Sequence, residues 1–163
     1  MELQIIKTEG YVKKESCNQE SLFTVNNDTL VECIRNSQKT VTVPEGIKVI
    51  GRECFAQTDV EEVILPEGIE VIGTDAFAFC RKLKKINFPE TLNVVSDGAF
   101  KECSSLETVI LPKKMKELDN CAFYNAGIKH LTLPEKVSLG IGVFAGTNIE
   151  TIDVPKDFTL GKA

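Results

Sequence analysis

The chain has 163 residues, of which 42% are apolar, with 19 Lys and Arg set against 24 Asp and Glu for a net charge of −5 and a pI near 5.0. That is one domain's worth of chain with enough apolar material for a continuous core. The acidic balance, with basic residues scattered among acidic ones, argues against a nucleic-acid or anionic-membrane partner. No apolar run approaches the roughly 18–20 residues that span a bilayer, so no membrane insertion is expected.

The first 22 residues are polar and show no repeat, which predicts an N-terminal cap over residues 1–22 ahead of a solenoid over residues 23–163. Met1 to Lys7 lack the basic and long apolar regions of a secretory leader. As written, the chain is expected in the cytoplasm; a native leader ahead of it would place it outside the cell or on its surface.

From about residue 41 the chain repeats itself. Pro44, Pro66, Pro89, Pro112, Pro134 and Pro155 stand 22, 23, 23, 22 and 21 residues apart. Phe55, Phe77, Phe100, Phe123 and Phe144 follow the first five prolines by 11, 11, 11, 11 and 10 residues. A fixed period of this length marks stacked units that each bury an apolar face only against their neighbours.

Within a unit, apolar residues precede the proline in fixed columns, such as Val41, Val63, Ile86, Val109, Leu131 and Ile152, then Val43, Leu65, Phe88, Leu111, Leu133 and Val154. Two apolar positions two apart share one face of a short strand, and the proline ends it because it has no N–H for a ladder. One strand per coil predicts a parallel sheet of five or six strands. A second apolar set, including Ile50, Ile72, Val95, Leu118 and Leu139, is followed by Gly51, Gly73 and Gly140 in three units, which suggests turns with unusual backbone angles. The segment around each Phe is too short for a free-standing helix and predicts a short turn or one helical turn held by its ring.

The six cysteines form no C-x-x-C pair, and His130 is the single histidine, so neither a metal site nor any cofactor is expected. Cys80 and Cys103 share a repeat position with Thr58, Ala126 and Thr147, which favours small buried side chains. Stacking would also bring that pair within reach of a disulfide. His130 has no partner placed for nucleophilic chemistry, Glu61 and Glu62 are adjacent and point to opposite faces, and no phosphate-binding glycine loop is present. No catalytic residue is assigned, and the protein is expected not to be an enzyme.

The stretch Leu83-Lys84-Lys85-Ile86-Asn87-Phe88-Pro89 through Ala99-Phe100-Lys101-Glu102-Cys103 resembles the unit of the BspA-type, or treponemal-type, leucine-rich repeat family. Residues 23–30 resemble the hairpin that opens such arrays, and the likeness runs to about residue 155. The resemblance implies a right-handed leucine-rich-repeat solenoid of about five repeats, with a concave parallel sheet and short turns on the convex side. It also implies binding to proteins or extracellular matrix, often at a cell surface.

On that arrangement the concave face consists of Thr40, Glu62, Lys85, Thr108 and His130 in one row and Thr42, Ile64, Asn87, Ile110 and Thr132 in the other. Ile64 and Ile110, outward-facing on either side of Asn87, are the expected anchors for a protein partner. The last coil offers only Phe158 and Leu160 as cover, so a short cap is expected there, with weak self-association through that coil as the alternative.

Overall fold

A computed structural model describes residues 5–8, 11–14, 23–33 and 38–161. It is a β-solenoid of about six turns built from parallel sheets.

The chain opens with β1 (Ile5–Thr8), β2 (Tyr11–Lys14), β3 (Phe23–Asn26) and β4 (Thr29–Cys33), successive antiparallel partners. The expected hairpin is β3–β4, turned at Asn27, whose φ of 55° suits Asn. Residues 15–22 of the expected cap, including Cys17, lie outside the described residues.

Each coil then contributes two short strands. The first row, ahead of each proline, is β5 (Thr40–Thr42), β7 (Glu62–Ile64), β9 (Lys85–Ile86), β11 (Thr108–Ile110), β13 (His130–Thr132) and β15 (Thr151–Asp153). The second row is β6 (Val49–Ile50), β8 (Val71–Ile72), β10 (Val94–Val95), β12 (Glu117–Leu118), β14 (Lys136–Leu139) and β16 (Thr159–Leu160). The second row continues the opening hairpins into one ten-stranded sheet through the parallel β4–β6 pair. This second sheet was not foreseen, because strands of two residues are too short to show an alternating pattern.

Gly51, Gly73 and Gly140 follow the second row, and their role differs from the expected one. None has a positive φ. A Cβ on Gly51 would instead lie 2.6 Å from the Leu30 carbonyl oxygen, and one on Gly73 would lie 2.8 Å from that of Ile50. They permit close approach of successive backbones.

The segments around the phenylalanines are chains of tight turns, and no helix occurs among the described residues. In one coil, Ala76 N–H bonds Gly73 O, Ala78 bonds Asp75 O and Cys80 bonds Phe77 O, while the intervening N–H groups of Asp75, Phe77 and Phe79 reach carbonyls of the next coil. A helix would turn all of these groups inward along its own axis. Alternation requires a left-handed residue two before and two after each Phe. Glu53, Gln57, Asp75, Phe79, Glu102, Cys121 and Asn125 supply φ values of 53–62°, and Gly98, Gly142 and Gly146 occupy the same columns.

Space and backbone angle can be separated by mutation. A Cβ on Gly127 would collide with the backbone carbonyl of Ser104, whereas one on Gly46 would meet nothing within 4 Å although its φ is 84°. Gly127→Ala is expected to destabilise by about 1–3 kcal/mol through forced separation of two coils. Gly46→Ala should cost only its backbone strain, about 1–2 kcal/mol. Urea melts of both compare them through the change in midpoint at constant slope.

The core is a column of rings. Phe55, Phe77, Phe100 and Phe123 are fully buried and stack face to face, with centroids 4.8, 5.0 and 5.1 Å apart. At the last coil Phe158 packs against the core, but Leu160 is exposed, as are Ile152 and Val154.

Candidate functional site

The first strand row places the expected face residues in register: Thr40 beside Glu62 beside Lys85, and Thr42 beside Ile64. Farther along, Thr108 lies beside His130 and then Thr151, and Ile110 beside Thr132 and then Asp153. Glu62 and Thr132 are half-buried and the other eight expected face residues are exposed. Val63, Val109 and Leu131, between the outward positions, are buried. Strand alternation therefore puts Ile64 and Ile110 at the surface, 43% and 63% exposed.

The face is not one sheet. It is two three-stranded sheets, β5–β7–β9 and β11–β13–β15, separated between β9 and β11. Two side chains account for the break. Elsewhere the strand-end N–H reaches a backbone carbonyl of the next coil, as in Val43 to Ile64 at 2.9 Å and Leu133 to Asp153 at 3.0 Å. Leu65 N–H instead donates to Asn87 Oδ1 at 2.7 Å, and Asn87 Nδ2 donates to Leu65 O at 2.7 Å. The Asn87 amide thus takes over a ladder position and ends β9 after two residues.

Its neighbour Phe88 stands in a column that is otherwise Val or Leu. The ring reaches edge-on to Phe100 of its own coil at 5.5 Å and to Phe123 of the next at 6.5 Å. It is a wedge between the two coils on this side.

A cleft of about 1060 Å³ opens at the break. Ile64, Lys85 and Asn87 line one side and Ser105, Thr108 and Ile110 the other, with Phe88 between. Of the expected face residues, Glu62, Ile64, Lys85, Asn87, Thr108 and Ile110 line this cleft, while Phe88 and Ser105 also line it and were not among them. The signal was available in the exceptional Phe of the Phe88 column.

Charge along the rim leading into these strands alternates from coil to coil: Lys39, Glu61, Lys84, Glu107, Lys129 and Glu150. Glu61 is held by Lys84 at 2.7 Å and Lys39 at 3.1 Å, and Glu107 by Lys129 at 2.7 Å. The bond from Lys84 and then that from Lys39 keep the Glu61 carboxyl below its ordinary range, and Lys129 does the same for Glu107. Lys82 bonds Asp59 at 2.9 Å, so the basic stretch at residues 81–85 is largely neutralised within the molecule.

His130 Nδ1 lies 2.8 Å from Thr151 Oγ1 on the exposed face. Among the described residues no group of three His, Cys, Asp or Glu is placed to hold a metal ion, and no helix is long and apolar enough to cross a membrane. Cys80 and Cys103 are free and buried, without the bridge their stacking would have permitted. Each thiol donates to a phenylalanine carbonyl of the preceding coil, Cys80 to Phe55 O at 2.9 Å and Cys103 to Phe77 O at 3.1 Å.

Six copies of the BspA type leucine-rich repeat region match residues 48–162. The chain belongs to the BspA-type leucine-rich repeat family. Its fold is similar to that of a leucine-rich repeat protein from Bacteroides ovatus, at 25% identity and TM-score 0.69, covering 95% of this chain and 40% of that one. A leucine rich cell surface protein from Faecalibacterium prausnitzii matches at 19% identity and TM-score 0.73, over 92% of this chain and 39% of that one. A leucine-rich repeat protein of T. pallidum matches at 20% identity and TM-score 0.67, over 77% and 72% of the two chains. This BspA-type chain thus spans about two fifths of the length of the first two structures. A comparison with curated protein sequences gives no match.

Proposed function

We propose that this BspA-type repeat chain is a non-enzymatic protein-binding module that takes its partner on the first strand row, centred on the cleft between β9 and β11. The observation that carries the reading is the exposure of Ile64 and Ile110 on opposite sides of that cleft, on a face whose other outward residues are polar. Two β-branched side chains around a recess suit an apolar anchor from a partner, with Lys85, Asn87 and Thr108 as the polar rim. The coils behind the face are fixed by stacked rings, so little ordering is required on binding.

The test is capture by the wild-type chain, by Ile64→Lys/Ile110→Lys, and by Arg52→Glu, an exposed change on the convex turns. A partner held by the wild type and Arg52→Glu should bind the double variant about 30-fold more weakly, as loss of a binding hot spot implies. Equal retention by the double variant would place the working surface elsewhere.

A further inference from the structure

The break in the first strand row leaves two strand edges facing each other without partners. At every other junction in this row the coils are joined by the same bonds. The N–H groups of Glu61 and Glu62 both reach Lys39 O, those of Lys84 and Lys85 reach Glu61 O, and those of Lys129 and His130 reach Glu107 O. Between β9 and β11 this set is absent among the described residues. Neither Glu107 N–H nor Thr108 N–H bonds Lys84 O, Phe88 N–H bonds no carbonyl of the next coil, and no ladder joins the two strands.

The edges also stand apart. Most Cα pairs between β9 and β11 are separated by more than 8 Å, whereas paired strands run about 4.8 Å apart. The same two coils stay joined elsewhere, by the β10–β12 pairing and by Phe100 N–H on Ala122 O at 2.7 Å. The opening is therefore a one-sided slot, with the Phe88 ring as the wedge at its base. An added strand needs two sheet spacings, about 9.6 Å, and the slot is already well beyond one.

We propose that an extended segment of a protein partner enters this slot and pairs with β9 on one side and β11 on the other. This rests on the first strand row being the binding face, and it names the chemistry of the occupant. Lys84 O, Ile86 and Phe88 N–H on one edge, and Thr108 and Ile110 on the other, supply donors and acceptors at strand spacing. The outward side chains set what fits. The occupant's residue between Lys85 and Thr108 is acidic, because Lys85 is exposed and forms no ion pair among the described residues. Two residues on, between Asn87 and Ile110, a β-branched apolar residue matches Ile110 as its cross-strand neighbour. The chain itself carries that pattern in Glu62-Val63-Ile64, where Glu62 lies beside Lys85 in register.

The probe is a synthetic peptide copying residues 60–66, titrated into isotope-labelled protein and followed by NMR. The amide signals of Ile86, Phe88, Thr108 and Ile110 should shift, and hydrogen exchange at Phe88 and Thr108 should slow by about 10-fold or more at saturation. The same peptide N-methylated at its Ile64 position should bind about 10-fold more weakly, because that N–H donates to Ile86 O in the slot. Asn87→Thr/Phe88→Leu introduces the pair found at Thr132 and Leu133, so it should close the slot. In that variant the amides of residues 88 and 108 should be protected without peptide, and the peptide should no longer bind. The proposal is overturned if the peptide does not bind the wild type, if N-methylation leaves binding unchanged, or if the variant binds equally well. Shifts confined to Thr151–Asp153, the free edge of β15, would also overturn it. A partner lost by Ile64→Lys/Ile110→Lys but held by Asn87→Thr/Phe88→Leu would overturn the insertion while leaving the function proposed for the face standing.

Discussion

Phe100→Ala is expected to destabilise the protein by roughly 3–5 kcal/mol, lowering the thermal midpoint by about 6–20 °C at this chain length. The ring is fully buried between Phe77 at 5.0 Å and Phe123 at 5.1 Å, with Phe88 edge-on at 5.5 Å. Collapse cannot refill the space. Phe77 N–H is bonded to Ala99 O at 2.8 Å and Phe100 N–H to Ala122 O at 2.7 Å, so the neighbouring coils are held at their spacing by backbone bonds that the mutation leaves intact. In a solenoid, stability is carried by contacts between adjacent units, and removing a central ring weakens two such contacts at once.

Phe144→Ala supplies the comparison. That ring is half-buried and stacks on one side only, on Phe123 at 5.6 Å. Its loss should cost clearly less than that of Phe100. Urea denaturation of the two variants decides between a load shared along the ring column and one concentrated elsewhere: a Phe100→Ala cost no larger than that of Phe144→Ala would remove the column from its central role.

The ring column was legible in the sequence because it recurs at a nearly fixed offset from proline, and period is a property that sequence displays directly. The outward placement of Ile64 and Ile110 was legible for the same reason, since alternation follows from strand geometry. The break in the face was not. It depends on Asn87 bonding through its side chain rather than its backbone, and on the reach of the Phe88 ring into the next coil. Glycines were misread because turn strain and close approach call for the same residue, and only the neighbouring carbonyls at Gly51 and Gly73 distinguish them. The basic run at residues 81–85 was expected to face the acidic Glu61 and Glu62 of the preceding coil, and Lys84 does bond Glu61 there while Lys82 bonds Asp59.

The buried thiols give the protein an alkaline limit. Burial pushes the Cys33 thiol up to about 12 from 9.0, and burial likewise raises Cys54, Cys80 and Cys103. In the unfolded chain a thiol loses its proton near pH 9 while the folded chain still holds it. The folded state then binds more protons, so stability is full below about pH 8.5 and falls as pH rises toward the folded value. Between pH 8 and pH 10, Cys33 and Cys54 should each remove about 1 kcal/mol, and Cys103 acts in the same direction. The geometry agrees, because the Cys103 thiol donates its proton to Phe77 O and a thiolate there would face a carbonyl oxygen.

The repeat itself provides the control. Ala76, Ala99 and Ala122 occupy the column of Cys54, and Ala126 that of Cys103, so Cys54→Ala/Cys103→Ala inserts residues that other coils already pack. Urea midpoints at pH 8 and pH 10 should differ markedly for the wild type and less for this variant. An equal loss in both proteins would assign the alkaline limit to the surface lysines, leaving the thiols as apolar filling alone.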